Sequence, residues 1–154
     1  MSTRAPKLVR KSIEESFGRK LILIYNLYTE PFFEQIGRPE GINLTEWLVI
    51  VTLARHPSIG PSEVSRLTGL HKTTVSRVLS QLRAKGYLDQ VADPQDGRGK
   101  ILNLTRAGNG IFLRRTEWAR GWSKLLTSGL SAAEKRTLGS MLDRIIDDSR
   151  TRAN

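Results

Sequence analysis

The chain has 154 residues, with 25 Lys and Arg against 15 Asp and Glu, a formal net charge of +10 and no cysteine. That length suits one domain, or a small domain with helical extensions, and the charge favours a polyanionic partner over a basic one. The missing cysteine excludes disulfides and thiol-based oxidant sensing.

The first twenty residues carry six cations against two glutamates. This arm either adds phosphate contacts or is a soluble terminus, and its first few residues are expected to be disordered. It has no apolar run before a cleavage site, so it is not a secretory signal. The apolar stretch from Leu21 to Leu27 is too short to span a bilayer. A soluble, cytoplasmic protein with no membrane partner is expected.

Phe17 to Ile36 reads as a helix that is apolar around more than one face and needs more than one packing partner. Pro31 is expected to kink or break it, and Gly37, Pro39 and Gly41 to form a loop. Asn43 or Thr45 can cap the next helix, which His56-Pro57 closes. Its expected core stripe is Trp47, Ile50, Val51 and Ala54.

From Ile59 to Gly108 the punctuation is short helix, Gly turn, longer helix, Gly stop, strand, polar tip, strand. Pro61 suits a first helical position, where its missing N–H costs nothing. Val64 and Leu67 share a face, and Gly69 can end the helix in the left-handed conformation. The second helix starts near His71 or Lys72. Val75, Val78, Leu79 and Leu82 fall at 0, 3, 4 and 7, a single buried stripe. The other face carries Lys72, Thr73, Ser76, Arg77, Ser80 and Arg83, hydroxyls and cations that suit base edges and phosphates. The bland alternative is a solvated helix surface. Two runs of strand formers follow, Tyr87–Val91 and Lys100–Leu104. The turn dipeptides Asp93-Pro94 and Asp96-Gly97 lie between them. Arg98 at the tip suits a narrow minor groove, or is simply solubilising. Between Lys72 and Arg115 nine cations face three aspartates.

After Thr105 a long helix is expected to about Thr127, with Ile111, Trp118, Trp122 and Leu125 along one seam. Ser131 starts a last helix as a capping box with Glu134, and Leu138, Met141, Leu142, Ile145 and Ile146 form its stripe.

Several of these segments resemble the MarR family of bacterial transcriptional regulators: Leu44-Thr45-Glu46-Trp47-Leu48-Val49-Ile50, the helix pair, Asp93-Pro94-x-Asp96-x-Arg98, and Leu102-x-Leu104-Thr105-x-x-Gly108. The likeness runs from about Leu21 to Ile146 and is most specific between Leu44 and Gly108. It implies a winged-helix homodimer that binds double-stranded, pseudo-palindromic operator DNA and is often released by a small ligand. By this pattern Arg98 is the wing-tip arginine, and Thr73 to Arg77 face the groove. His71 stands where the family often has a capping Asp, which weakens the helix start or replaces its cap. Pro94 and Gly97 stand where many members carry basic or polar residues.

The expected fold is therefore mainly α with a small β-hairpin wing. Residues 1–43 form an arm and dimerisation helix, 44–105 a winged helix-turn-helix, and 106–154 C-terminal dimerisation helices. The DNA-contact set is Lys72, Thr73, Thr74, Ser76, Arg77, Arg98 and Lys100. The resemblance also implies an effector pocket between the dimerisation helices and the winged domain, bordered by Arg19, Ile22, Tyr25, Asn26, Trp47 and Val51. Aromatic rings near an Arg suit a small aromatic or phenolic effector, unless Tyr25 and Trp47 are plain core residues. No cofactor is called for. No catalytic motif is present, and His56 and His71 lack neighbours at metal-ligand spacing. The expected function is a DNA-binding transcriptional regulator, most simply a ligand-responsive repressor. The alternative is a winged-helix protein-interaction module without specific DNA binding.

Overall fold

The computed structural model describes residues 16–93 and 99–152. The chain divides into two compact units, residues 1–116 and 117–154. In the first unit Ser16 caps α1 (Phe17–Phe32), its Oγ accepting the Arg19 N–H at 3.2 Å. The helix continues through Pro31 and widens into a π-helical turn, Phe33–Gly37, followed by the single turn α2 (Arg38–Glu40). The expected loop at Gly37–Gly41 is thus mostly helical. Only Gly41, at φ 63°, leaves the helical region.

Helix α3 (Leu44–Arg55) begins with a reciprocal cap. Asn43 Oδ1 accepts the Glu46 N–H at 2.9 Å, and Glu46 Oε2 accepts the Asn43 N–H at 2.8 Å. Its buried face is Glu46, Trp47, Val49, Ile50, Thr52 and Leu53. Val51 and Ala54, expected in the stripe, are only half-buried. The helix is the centre of the core and packs against α4 (Pro61–Thr68), α5 (Lys72–Ala84) and strand β2 (Lys100–Leu104). Elements on several sides widen the buried arc beyond one seam. Trp47 sits between Phe32 and Phe112, with ring centroids 6.5 Å away on both sides.

Pro61 opens α4, and Gly69 closes it at φ 71°. The Ser65 hydroxyl donates to the Leu70 carbonyl at 2.6 Å and fixes the turn between the paired helices. His71 is the cap of α5. Its Nδ1 lies 2.9 Å from the Thr73 hydroxyl and accepts the Thr73 N–H at 3.4 Å. Of the two outcomes expected for this residue, the ring replaces the acidic cap.

Strand β1 (Leu88–Ala92) pairs antiparallel with β2, from Leu88 opposite Leu104 to Ala92 opposite Lys100. Ile59 adds a bridge to Leu102, whose N–H donates to the Ile59 carbonyl at 3.0 Å. Ser58, at φ 60°, precedes it and is held by two bonds of 3.0 Å from its N–H and hydroxyl to Asn103 Oδ1. Helix α6 (Arg106–Leu126) follows directly. Gly108 lies so close to Tyr87 that a Cβ there would land on the Tyr87 carbonyl. Glu40 accepts bonds from Arg114 at 2.8 and 3.3 Å and from Arg115 at 2.7 Å. These bonds, led by that from Arg114, hold its carboxyl below the ordinary range although burial pushes it up. A carboxyl so depressed stabilises the fold at neutral pH and loses that contribution as pH falls through its folded value.

In the second unit Trp118 and Trp122 stack with centroids 6.1 Å apart. Ser131 and Glu134 form the expected capping box, at 2.8 and 3.3 Å, ahead of α7 (Ala132–Arg152). Helix α7 buries no residue within the single chain. No helix among the described residues is long and apolar enough to cross a membrane.

Two stability outcomes follow from these contacts. Gly108→Ala should gain up to about 1 kcal/mol in helix propensity but lose roughly 1–3 kcal/mol to the backbone collision, so a thermal melt should show a net loss. His71→Ala should cost about 1 kcal/mol of cap energy, whereas His71→Asp should cost none. Equal melting of the Ala and Asp variants would show that the cap is idle.

Candidate nucleic-acid interface

Helix α5 sorts its side chains by period. Val75, Val78, Leu79 and Leu82 are 0–4% exposed, as the spacing predicts. With that side committed to the core, Lys72, Thr73, Ser76, Arg77, Ser80 and Arg83 are all exposed on the other. Thr74, expected with them, is half-buried at the edge of the stripe.

A groove of about 390 Å³ runs between α4, α5 and the hairpin. Lys72, Arg83 and Lys100 converge on it from two elements, together with the hydroxyls of Ser62, Ser76 and Ser80 and the amide of Gln90. Its floor is Val75 and Leu79. A second, polar cleft along the end of α5 also takes in Ser80, Arg83 and Gln90. The walls therefore present three cations, hydroxyl donors and an amide, a set that suits phosphate oxygens and base edges.

The structure brings Lys72, Ser76 and Lys100 of the expected contact set together around this groove. Thr73 and Arg77 are exposed on the same helix but outside the groove lining, and the Thr73 hydroxyl is engaged with His71. Arg98, with Pro94 and Gly97, lies outside the described residues. Sequence reasoning did not single out Ser62 or Gln90 for the site. Ser62 follows Pro61 at the start of α4, and Gln90 shares a strand face with buried Leu88. The packing of α4 and the hairpin against α5 brings both to the groove, and no local pattern signals it.

The six residues expected around an effector divide into two groups. Arg19, Ile22, Tyr25 and Asn26 are exposed on α1. Trp47 is 5% exposed and Val51 is half-buried on α3. None of the six lines the two clefts beside α5 or the apolar cleft at the start of α7. Among the described residues no three His, Asp or Glu side chains gather in a way that would hold a metal ion.

The family model that matches the chain is that of the MarR family, over residues 40–99, which include α3, the helix pair and the first strand of the hairpin. The HTH-type transcriptional repressor NicR of Pseudomonas putida is 24% identical over 135 residues, 88% of this chain and 85% of that protein. Two crystal structures share the fold. One is the PcaV transcriptional regulator of Streptomyces coelicolor in complex with its natural ligand, at a TM-score of 0.79 and 22% identity, covering 97% of this chain and 99% of that one. The other is a cysteine-to-serine mutant of MarR from Escherichia coli complexed with operator DNA, at 0.76 and 21%, covering 87% and 96%. With its paired helices, its hairpin and this match over residues 40–99, the chain is similar to the MarR family of transcriptional regulators.

Proposed function

We propose that this protein is a homodimeric, ligand-responsive repressor of the cytoplasm that binds pseudo-palindromic operator DNA. The observation that carries the reading is the division of α5, with four apolar side chains buried on one side and hydroxyls and cations exposed on the other. In this reading α5 enters the major groove, Arg77 reads a base edge, and Lys72 and Lys100 hold phosphates. By the sequence pattern, Arg98 is the residue that would meet the minor groove. Residues 44–105 bind DNA and the flanking segments dimerise. The MarR structure with operator DNA supports the mode of binding for a chain of this fold.

Apolar exposure supports the dimer. On α1, Ile22, Ile24, Tyr25 and Leu27 are 54–63% exposed, and on α7, Met141, Ile145 and Ile146 are 41–53% exposed. An isolated chain would leave these side chains in water, whereas an obligate homodimer buries roughly 2,000–5,000 Å² in an interface resembling a divided core. Two copies would also set their α5 helices about 34–36 Å apart, one turn of DNA.

For the effector, the reading keeps a small aromatic or phenolic ligand near Arg19, Ile22, Tyr25, Asn26 and Val51. Trp47 would act on such a ligand through its contacts with Phe32 and Phe112 rather than by direct exposure. The PcaV complex with its natural ligand supports a small-molecule effector for this fold.

The test of DNA binding starts from selection of genomic fragments by the protein, which supplies the duplex for titration. If about 6–10 phosphates are neutralised, affinity should fall roughly 10³–10⁵-fold between 50 and 200 mM salt. Arg77→Ala should relax preference at particular base pairs by about 1–3 kcal/mol, while Lys100→Ala weakens all sequences nearly alike. A flat salt response would end the DNA reading, and equal, sequence-independent losses would mean that the reading face is misassigned.

The dimer is checked by light scattering. The parent should have twice the single-chain mass. Ile22→Asp and Met141→Asp, both at sites exposed in one chain, should shift it toward the monomer without unfolding α3–β2. A monomeric parent would contradict the proposal.

A further inference from the structure

The end of α5 is held by a contact that the exposed face does not explain. Lys85 closes the helix, its N–H donating to the Gln81 carbonyl at 3.0 Å. Its side chain turns away from the groove, toward the segment that leads into α3. The ammonium lies 2.7 and 2.8 Å from the two carboxylate oxygens of Glu46 and 2.7 Å from the Gly41 carbonyl. The Glu46 side chain is 1% exposed, while that of Lys85 is 34% exposed. Glu46 Oε2 also accepts the Asn43 N–H, so the carboxylate has a donor on each side. A buried carboxylate needs such a complete set of partners, and removing its cation leaves an uncompensated charge in the core.

The same short segment has a second mooring. The Glu40 carboxylate holds Arg114 and Arg115 of α6, and the Tyr87 hydroxyl lies 3.5 Å from the Glu40 carbonyl. Residues 40–46 thus fasten the end of α5 to α3 and α6. The groove-facing residues run along α5 from Lys72, where His71 caps the helix, to Arg83 near its far end. Its rotation is fixed by the buried stripe, but its tilt depends on where its far end is held. At 1.5 Å per residue Lys85 at the far end is about 21 Å from the His71 cap, so a small displacement there re-aims the contacts.

We infer that Lys85 and Glu46 are positioning residues for DNA recognition, setting the tilt of α5 without touching the nucleic acid. This inference rests on the DNA-binding reading above. It makes a prediction opposite in sign to simple electrostatics. Glu46→Gln removes a negative charge from a protein that binds a polyanion, and charge alone would tighten binding. If the pair positions α5, binding to the selected duplex must weaken.

The experiment titrates the full chain with two duplexes of equal length, one carrying a genome-selected site and the other a scrambled sequence. The parent, Glu46→Gln, Lys85→Met and the double variant are compared over a salt series, after circular dichroism confirms folding at the titration temperature. Parent binding to the selected duplex is the control that tests the DNA reading by itself. Given that control, each single variant should lose roughly tenfold on the selected duplex, and the double variant little more than either, because coupled residues do not add. Affinity for the scrambled duplex and the slope against salt should stay at the parent's values. Glu46→Gln binding as tightly as the parent, or tighter, overturns the inference. So does Lys85→Met losing equally on both duplexes with its slope reduced by about one, since that is the signature of a phosphate contact. Should Lys85→Met fail to fold, Lys85→Arg replaces it. An unchanged slope and a selected-to-scrambled ratio within about twofold of the parent's then support the inference, and a changed slope or ratio overturns it.

Discussion

The constraint on which this molecule depends is the burial of four side chains on α5. Val75, Val78, Leu79 and Leu82 occupy one stripe and are almost wholly out of water. Fully burying such a side chain is worth about 1.5–3 kcal/mol, so turning the helix to any other face would expose several of them at once. The rotation of α5 is therefore set by the core, and the exposure of Lys72, Ser76 and Arg77 is its consequence. The surface that would meet DNA costs little to present because the opposite surface is already committed.

The surrounding elements turn that orientation into a site. Ser65 and His71 fix the start of α5, and Gly86, at φ 72°, turns the chain into β1. The hairpin is anchored where the Ile59–Leu102 bridge joins it and where Gly108 lets α6 approach Tyr87. Lys100 consequently reaches the groove beside residues nearly thirty positions earlier in the chain. Cations from separate elements sharing one groove raise the local potential more than the same charges scattered over a surface.

Much of this was legible in the sequence because it is local. The α5 stripe, the Gly69 turn and the Ser131 capping box each depend on residues a few positions apart, and the strand pairing on two runs joined by one short turn. The missed features depend on contacts from elsewhere. The stripe on α3 was misphased because its buried arc includes Glu46, which hydropathy assigns to the surface. Lys85, 39 residues away, makes that burial tolerable. Pro31 predicts a kink or a break, yet the helix continues past it and widens, since a proline removes one donor without preventing neighbouring carbonyls from finding others. The six-residue effector set was chosen by a resemblance and by residue type. Its α1 members are exposed and Trp47 is in the core, a division that no local pattern signals.

The absence of cysteine allows the central claim, that the polar face of α5 lies in the major groove, to be tested with a single attachment site. Ser76→Cys carries a tethered DNA-cleaving iron chelate and is bound to the genome-selected duplex. The account predicts cleavage confined to two short windows, whose centres are about 10–10.5 bp apart for a dimer. Uniform cleavage along the duplex, or none from a variant that still binds, would contradict it.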